Sequence, residues 1–151
     1  MTGQSPAPAV RRFARLRSMD AYDELYVYTM GRSNFILQHV VDANIAQNAP
    51  PVNPPPIGVI FSLAGLYLHV EKGFTGKQVQ HAHTIMGRAK RSWPNVVWPA
   101  HRGEMTAATV LALPMGDARD EGIHEWCRQV WAAFRANRST VSALVSEYKI
   151  A

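Results

Sequence analysis

The chain has one cysteine, Cys127, and that scarcity excludes most of what cysteines do. No internal disulfide can form, and no all-cysteine zinc site can be built. Nothing therefore calls for an oxidising compartment. Long apolar runs are missing too: none approaches the roughly 18 residues that span a bilayer. The N-terminal arginines are not followed by an apolar segment, so the sequence reads without a secretory signal. Together these absences lead us to expect a cytoplasmic protein with no membrane partner. Glycine fingerprints are absent as well. There is no Gly-x-Ser-x-Gly elbow, no phosphate-binding Gly-x-x-x-x-Gly-Lys loop and no dinucleotide motif.

Acidic residues are missing from two stretches. Residues 1–19 hold Arg11, Arg12, Arg15 and Arg17, and residues 72–103 hold Lys72, Lys77, Arg88, Lys90, Arg91 and Arg102, with no Asp or Glu in either. The net charge of +5 is thus unevenly placed. Such placement suits either an anion-binding face or a solvated surface of uneven charge.

What is present is a chain for one helical domain. Its 151 residues, 47% of them hydrophobic, can close a core without staples. Residues 1–18 show no apolar period and read as a flexible N-terminal tail, with the single domain spanning 19–151. Met19 stands just before a helix start and is a candidate translation start. Asp20 is placed to cap a first helix whose apolar positions are Tyr22, Leu25, Tyr26 and Met30, and Gly31 to end it. Ser33 or Asn34 then opens a second helix, with Phe35, Ile36, Val40, Ala43 and Ala46 as its inner positions. Residues 50–56 contain five prolines and must be extended.

From Ile57 the run to Val70 is apolar on nearly every side, which suits a helix at the centre of a bundle, ended by Gly73. Thr75 caps a fourth helix with Val79, Ala82, Ile85, Met86 and Ala89 inward. Trp93-Pro94 to Trp98-Pro99 reads as an extended connection strapped across the bundle. Thr106 opens a short helix closed by Pro114. Ile123, Trp126, Cys127, Val130, Trp131 and Phe134 recur at helical spacing, and Ser139 starts a last helix carrying Val141, Leu144, Val145 and Tyr148. The expected fold is all-α, a single-domain bundle of about six helices with an extended Trp-Pro connection.

Several segments in this order carry a family resemblance. They are Asp23-Glu24-Leu25-Tyr26, Gln38-His39-Val40-Val41-Asp42-Ala43 with Gln47, and the run Gly65-Leu66-Tyr67-Leu68-His69-Val70-Glu71-Lys72-Gly73-Phe74-Thr75-Gly76. Trp93-Pro94, Arg102-Gly103 with Thr106, and Trp126 with Trp131 follow. Over residues 20–148 the chain resembles a bacterial family of short helical proteins classed only as a domain of unknown function. Many members begin with a Cys-x-x-Cys segment that this chain lacks, so a metal role resting on those cysteines does not carry over. The resemblance implies no reaction, substrate or cofactor.

The candidate chemistry therefore comes from the residues themselves. His39 and Asp42 are three apart and share a helix face. His69 and Glu71 lie near the end of the apolar third helix. If helices two and three pack antiparallel, His39, Asp42, His69 and Glu71 approach one another as a metal-ligand or acid–base set. Against this, His69 and Glu71 are about 200° apart around a helix. The same four residues also suit a satisfied polar network that fixes helix register. His81 and His83, two apart, point different ways and read as surface. Cys127 reads as a small buried apolar residue. Phe74-Thr75-Gly76-Lys77 suits either a phosphate at a helix start or a plain cap.

Three function classes follow. The first is a non-catalytic binding or accessory protein. The second is a small metal-dependent or acid–base enzyme at the His/Asp/His/Glu set. The third is a polyanion or nucleic-acid binder through residues 72–91, using Lys77, His81, Arg88, Lys90 and Arg91. A homo-oligomer or a protein partner is left open, as is any cofactor.

Overall fold

The structure is a computed structural model, and it describes residues 21–88 and 92–151. The expectations for the tail, Met19, the Asp20 cap, Ala89, Lys90 and Arg91 lie outside the described residues. Among those described there are seven α-helices and no strand. The helices are α1 (21–30), α2 (Leu37–Asn48), α3 (Ile57–Lys72), α4 (Gly76–Gly87), α5 (Ala107–Leu111), α6 (Asp117–Ala133) and α7 (Arg138–Glu147).

The centre is α3, because it has almost no polar face to turn outward. Val59, Ile60, Leu63, Ala64, Leu66, Tyr67 and Leu68 are all buried. α2, α4, α6 and α7 pack around it, and α2 also rests on α6. The buried side chains form one cluster. The inner stripe of α6 runs as its spacing predicts: Ile123, Trp126, Cys127, Val130, Trp131 and Phe134 are buried. Gly73, in the left-handed region at φ 72°, ends α3. Thr75 and Gln78 then start α4 with a reciprocal capping box, and Thr106 and Thr109 do the same for α5.

The start of α2 departs from its expected form. Neither Ser33 nor Asn34 caps it; a 3-10 turn (Ser33–Phe35) precedes it, with Asn34 at φ 62° and Phe35 at φ 53°. This twist turns Phe35 outward to 46% exposure, so it is not an inner position. It also brings the Phe35 carbonyl against Gly76, where any Cβ would overlap the oxygen. Met30 is likewise 63% exposed, and Thr29 is buried beside Leu25 in its place. α7 starts at Arg138, with no side-chain cap from Asn137 or Ser139.

Two connections hold each other. Asn53, in the proline segment, exchanges hydrogen bonds with the backbone of Val96 at 2.9 Å in each direction. Asn137 does the same with Val97 at 2.8 and 2.9 Å. Arg102 donates to the carbonyls of Ala46, Gln47 and Ala49, closing the C-terminal end of α2, and its guanidinium lies over Trp98.

Trp126 is fully buried and donates its Nε1–H to Gln47 Oε1 at 3.0 Å. Trp131 is nearly as buried and donates to Glu71. Trp126→Ala and Trp131→Ala are each expected to destabilise the protein by about 3–5 kcal/mol. Urea denaturation measures this; two near-neutral results would place the α6 stripe outside the core.

Candidate functional site

α2 and α3 pack so that His39 meets His69 and Asp42 meets Gly65. The numbers fall on one helix as they rise on the other, so the pair is antiparallel. The imidazoles of His39 and His69 lie face to face, with ring centres 3.5 Å apart and planes 19° off parallel. A third ring joins from α6. His124 Nδ1 is 3.0 Å from His69 Nε2, and His69 Nδ1 is 3.1 Å from the Phe74 carbonyl. These three histidines, with Ser33, Thr75 and Asp120, line a cavity of about 340 Å³.

Burial keeps the rings neutral. His39, 3% exposed, is pushed down to about 2, chiefly by loss of water and then by its two histidine neighbours. His69 is pushed down to about 4 by burial, against which the Phe74 carbonyl acts. His124 is lowered by burial in the same way. The Nδ1 of His39 is buried and has no hydrogen-bond partner. Asp120 is held in place by Tyr28, whose hydroxyl donates at 2.6 Å, and by Arg32, which donates at 2.6 and 3.0 Å. Partial burial would raise its carboxyl, but the bonds from Arg32 and Tyr28 outweigh this and hold it below the usual range.

The other two candidates are elsewhere. Asp42 is fully enclosed, and its carboxyl fills the space that a side chain at Gly65 would need. It accepts from Gln38 at 3.0 Å through Oδ1, while Oδ2 has no partner. Burial raises its pKa well above the ordinary carboxylate value, so the folded acid keeps its proton to higher pH than an unfolded one does. Glu71 emerges on the far side of α3, where it accepts from Trp131 at 2.7 Å and from Arg138 at 2.8 and 3.1 Å. The Arg138 guanidinium holds the Glu71 carboxyl below its usual range. The four residues thus do not converge: two stack, one is buried at a helix–helix contact, and one pins α3 to α7.

The stacked geometry also bears on metal binding. In-plane lone pairs of two nearly parallel rings lie in nearly parallel planes and do not meet at a point. Among the described residues, no group of three or more His, Cys, Asp or Glu side chains is arranged to hold a metal ion. Cys127 is buried, its thiol pushed up by burial, and lies 3.5 Å from the His39 carbonyl. His83 is not a free surface residue: its Nε2 is 2.7 Å from the Phe61 carbonyl, and its ring stacks on Phe61.

The basic stretch divides. Lys77, His81 and Arg88 are exposed on α4 and at its end, within an arc of about 40°. Arg102 is committed to the carbonyls of α2. Thr75 is a cap, and the carbonyls of Asn34 and Phe35 lie against Gly76 beside it.

His124 was not among the sequence candidates. A signal existed: it stands three before Cys127 and seven before Trp131, on the face those two bury. Counting only apolar residues along α6 passes over it.

The chain belongs to a family of unknown function (DUF5946), whose model matches residues 19–135. No curated protein and no solved structure matches it. The matched stretch contains all three histidines, Asp42 and Glu71, and ends before α7.

The lowered histidines and the raised Asp42 tie stability to pH in opposite senses. Below about 6.5 the imidazoles of an unfolded chain take up protons that the folded ones refuse. The unfolded state then binds more protons, so stability falls as pH falls through this window. Folded Asp42 instead keeps a proton that an unfolded Asp loses above about 4, so its contribution falls as pH rises. Asp42→Asn removes the second dependence and keeps the acceptor for Gln38. Thermal melts of Asp42→Asn between about pH 7 and pH 5 should show Tm falling toward acid more steeply than in the unaltered protein. A flat profile would mean that the histidines are not held neutral.

Proposed function

We propose that this protein is a binding protein, and that its ligand is a small polar molecule held in the cavity among His39, His69 and His124. The observation that carries this reading is a cavity of about 340 Å³ lined by the three imidazoles of His39, His69 and His124. The volume falls at the lower end of small-molecule sites, and a few polar groups converge on it, as such sites require. A binding or accessory role also agrees with the separation of Asp42 and Glu71 from the histidines, which leaves no four-residue catalytic set.

Small neutral probes such as phenol and formamide test this by amide chemical-shift mapping. Perturbations are expected to gather at Ser33, Asn34, Gly73 and Thr75, and to vanish in Ser33→Phe, which fills the exposed rim without touching the core. Shifts scattered over the surface, or unchanged in Ser33→Phe, would sink this reading.

A second reading rests on a separate observation, the exposed stripe of Lys77, His81 and Arg88 on an α4 that contains no acid. It makes α4 a weak polyanion-binding face. Neutralised phosphates release counterions, so affinity for mixed-sequence DNA or RNA should fall steeply as salt rises. The Lys77→Ala, Arg88→Ala double variant should lose that binding. Binding unaltered in the double variant removes this reading.

A further inference from the structure

The Phe74 carbonyl decides more than the position of one ring. A carbonyl oxygen accepts hydrogen bonds and cannot donate them. His69 Nδ1, 3.1 Å away, must therefore carry the proton of that ring. In the neutral ring the other nitrogen, Nε2, is then a bare lone pair. His124 Nδ1 lies 3.0 Å from that lone pair, so it must donate. With its proton on Nδ1, neutral His124 is left with a bare Nε2. One backbone carbonyl thus sets two tautomers in sequence, and the end of the chain of bonds is a basic nitrogen on a ring that lines the cavity.

We infer that His124 is the general base of this cavity, acting on a neutral small molecule that presents a weakly acidic hydrogen. The inference rests on the reading of the cavity as a ligand site. In the step, the bond from that hydrogen to the ligand breaks, its electron pair stays on the ligand, and the proton joins His124 Nε2. The new imidazolium keeps Nδ1–H on His69, and that bond strengthens because its donor is now charged. His69 is the positioning residue. It stays neutral, holds His124 in the productive tautomer, and is itself held by Phe74.

The surroundings select the ligand's class. None of the residues lining the cavity is a lysine or arginine. Arg32 is spent on Asp120, and the carbonyls of Asn34 and Phe35 lie at the start of α4. An anion finds no free cation or open helix end here. Bare imidazole nitrogens and the Asp120 carboxylate instead accept hydrogen bonds, which suits a donor. The groups around His124 tolerate the positive charge that the step creates. On its own helix Asp120 and Glu121 favour the charge and Arg128 opposes it, but Arg128 is tied to Glu121 and Glu125 at 2.6 and 2.8 Å. From α2 and α3 the facing groups are His39 and His69, and Tyr28 and Arg32 meet the site only through Asp120.

Two measurements test this. The first is long-range proton–nitrogen NMR of the histidine rings in the ligand-free protein near pH 7.5, which reads each tautomer directly. His69 and His124 should both carry hydrogen on Nδ1; hydrogen on Nε2 of His124 overturns the assignment whatever the cavity binds. The second uses 5-nitrobenzisoxazole, a neutral probe. A base takes its C–H proton, the electron pair forms the nitrile, and the N–O bond breaks to release a coloured phenolate. Turnover should exceed that of His124→Gln by about 10²-fold, the lower end of what a positioned base supplies. The rate should rise with pH and level off through an inflection below the ~6.5 of a free imidazole. His69→Gln, whose amide can accept from His124 and donate to Phe74, should retain more activity than His69→Ala. A probe that perturbs the cavity amides but is not turned over, or is turned over equally by His124→Gln, overturns the base while leaving the binding site standing. A probe that does not enter the cavity counts against the binding site and the base together.

Discussion

The close approach of α2 to α3 is the constraint on which the rest depends. At Gly65 the second helix comes so near that the Asp42 carboxyl occupies the volume of a missing side chain. That contact sets the register in which His39 falls opposite His69 one turn further on. Stacked rings 3.5 Å apart are possible only because the two backbones have already been drawn together. The same register sends Glu71 to the other side of α3. Two residues along a helix turn the direction by about 200°, so a face that delivers His69 to α2 delivers Glu71 to α6 and α7. There Trp131 and Arg138 hold it, and the carboxylate fastens the end of the central helix rather than entering the cavity.

Much of this was legible in the sequence where a local rule sufficed. The apolar run of α3, its Gly73 stop and the Thr75 and Thr106 caps depend on neighbours within one turn, and all are found. The stripe of α6 depends on period alone. Lys77, His81 and Arg88 share a face for the same reason. What escaped depends on chain conformation or on distant partners. Asn34 and Phe35 take positive φ, which spacing cannot show, and Phe35 leaves the core as a result. His83 pairs with a carbonyl on α3. His39 and His69 were in view as candidates, but their third member sits on a helix far along the chain, in a stripe otherwise read as hydrophobic.

The polar interior divides into groups that are satisfied and groups that are not. Gln47 shows the satisfied kind. It accepts from Trp126 and donates to the carbonyls of Met105 and Arg102, joining α2, α6 and the segment before α5 with every strong group engaged. Asn137 is similar. Such residues specify packing and need nothing further. His39 Nδ1 and Asp42 Oδ2 are different, because each is buried without a partner. Burial favours the neutral form of Asp42, which loses far less on leaving water than a carboxylate does. Its space-filling role at Gly65 accounts for its presence. No such account exists for His39, whose volume an apolar residue would fill at less cost.

Several departures from what stability favours meet at this cavity. Its floor holds three imidazoles kept neutral by burial, and its rim includes Asn34 at φ 62°. Elsewhere α4 and α5 start with capping boxes, and the stripe of α6 turns inward. Strain and unsatisfied polarity persist where surrounding structure enforces them, and their coincidence is a physical reason to look for function at that place. A core needing only cohesion has no use for a carbonyl that dictates the tautomers of two histidines. A site that must present a bare imidazole nitrogen to a ligand does. The Gly73 turn that ends α3 also aims the Phe74 carbonyl at His69, so the element that closes the central helix orients the site's first hydrogen bond.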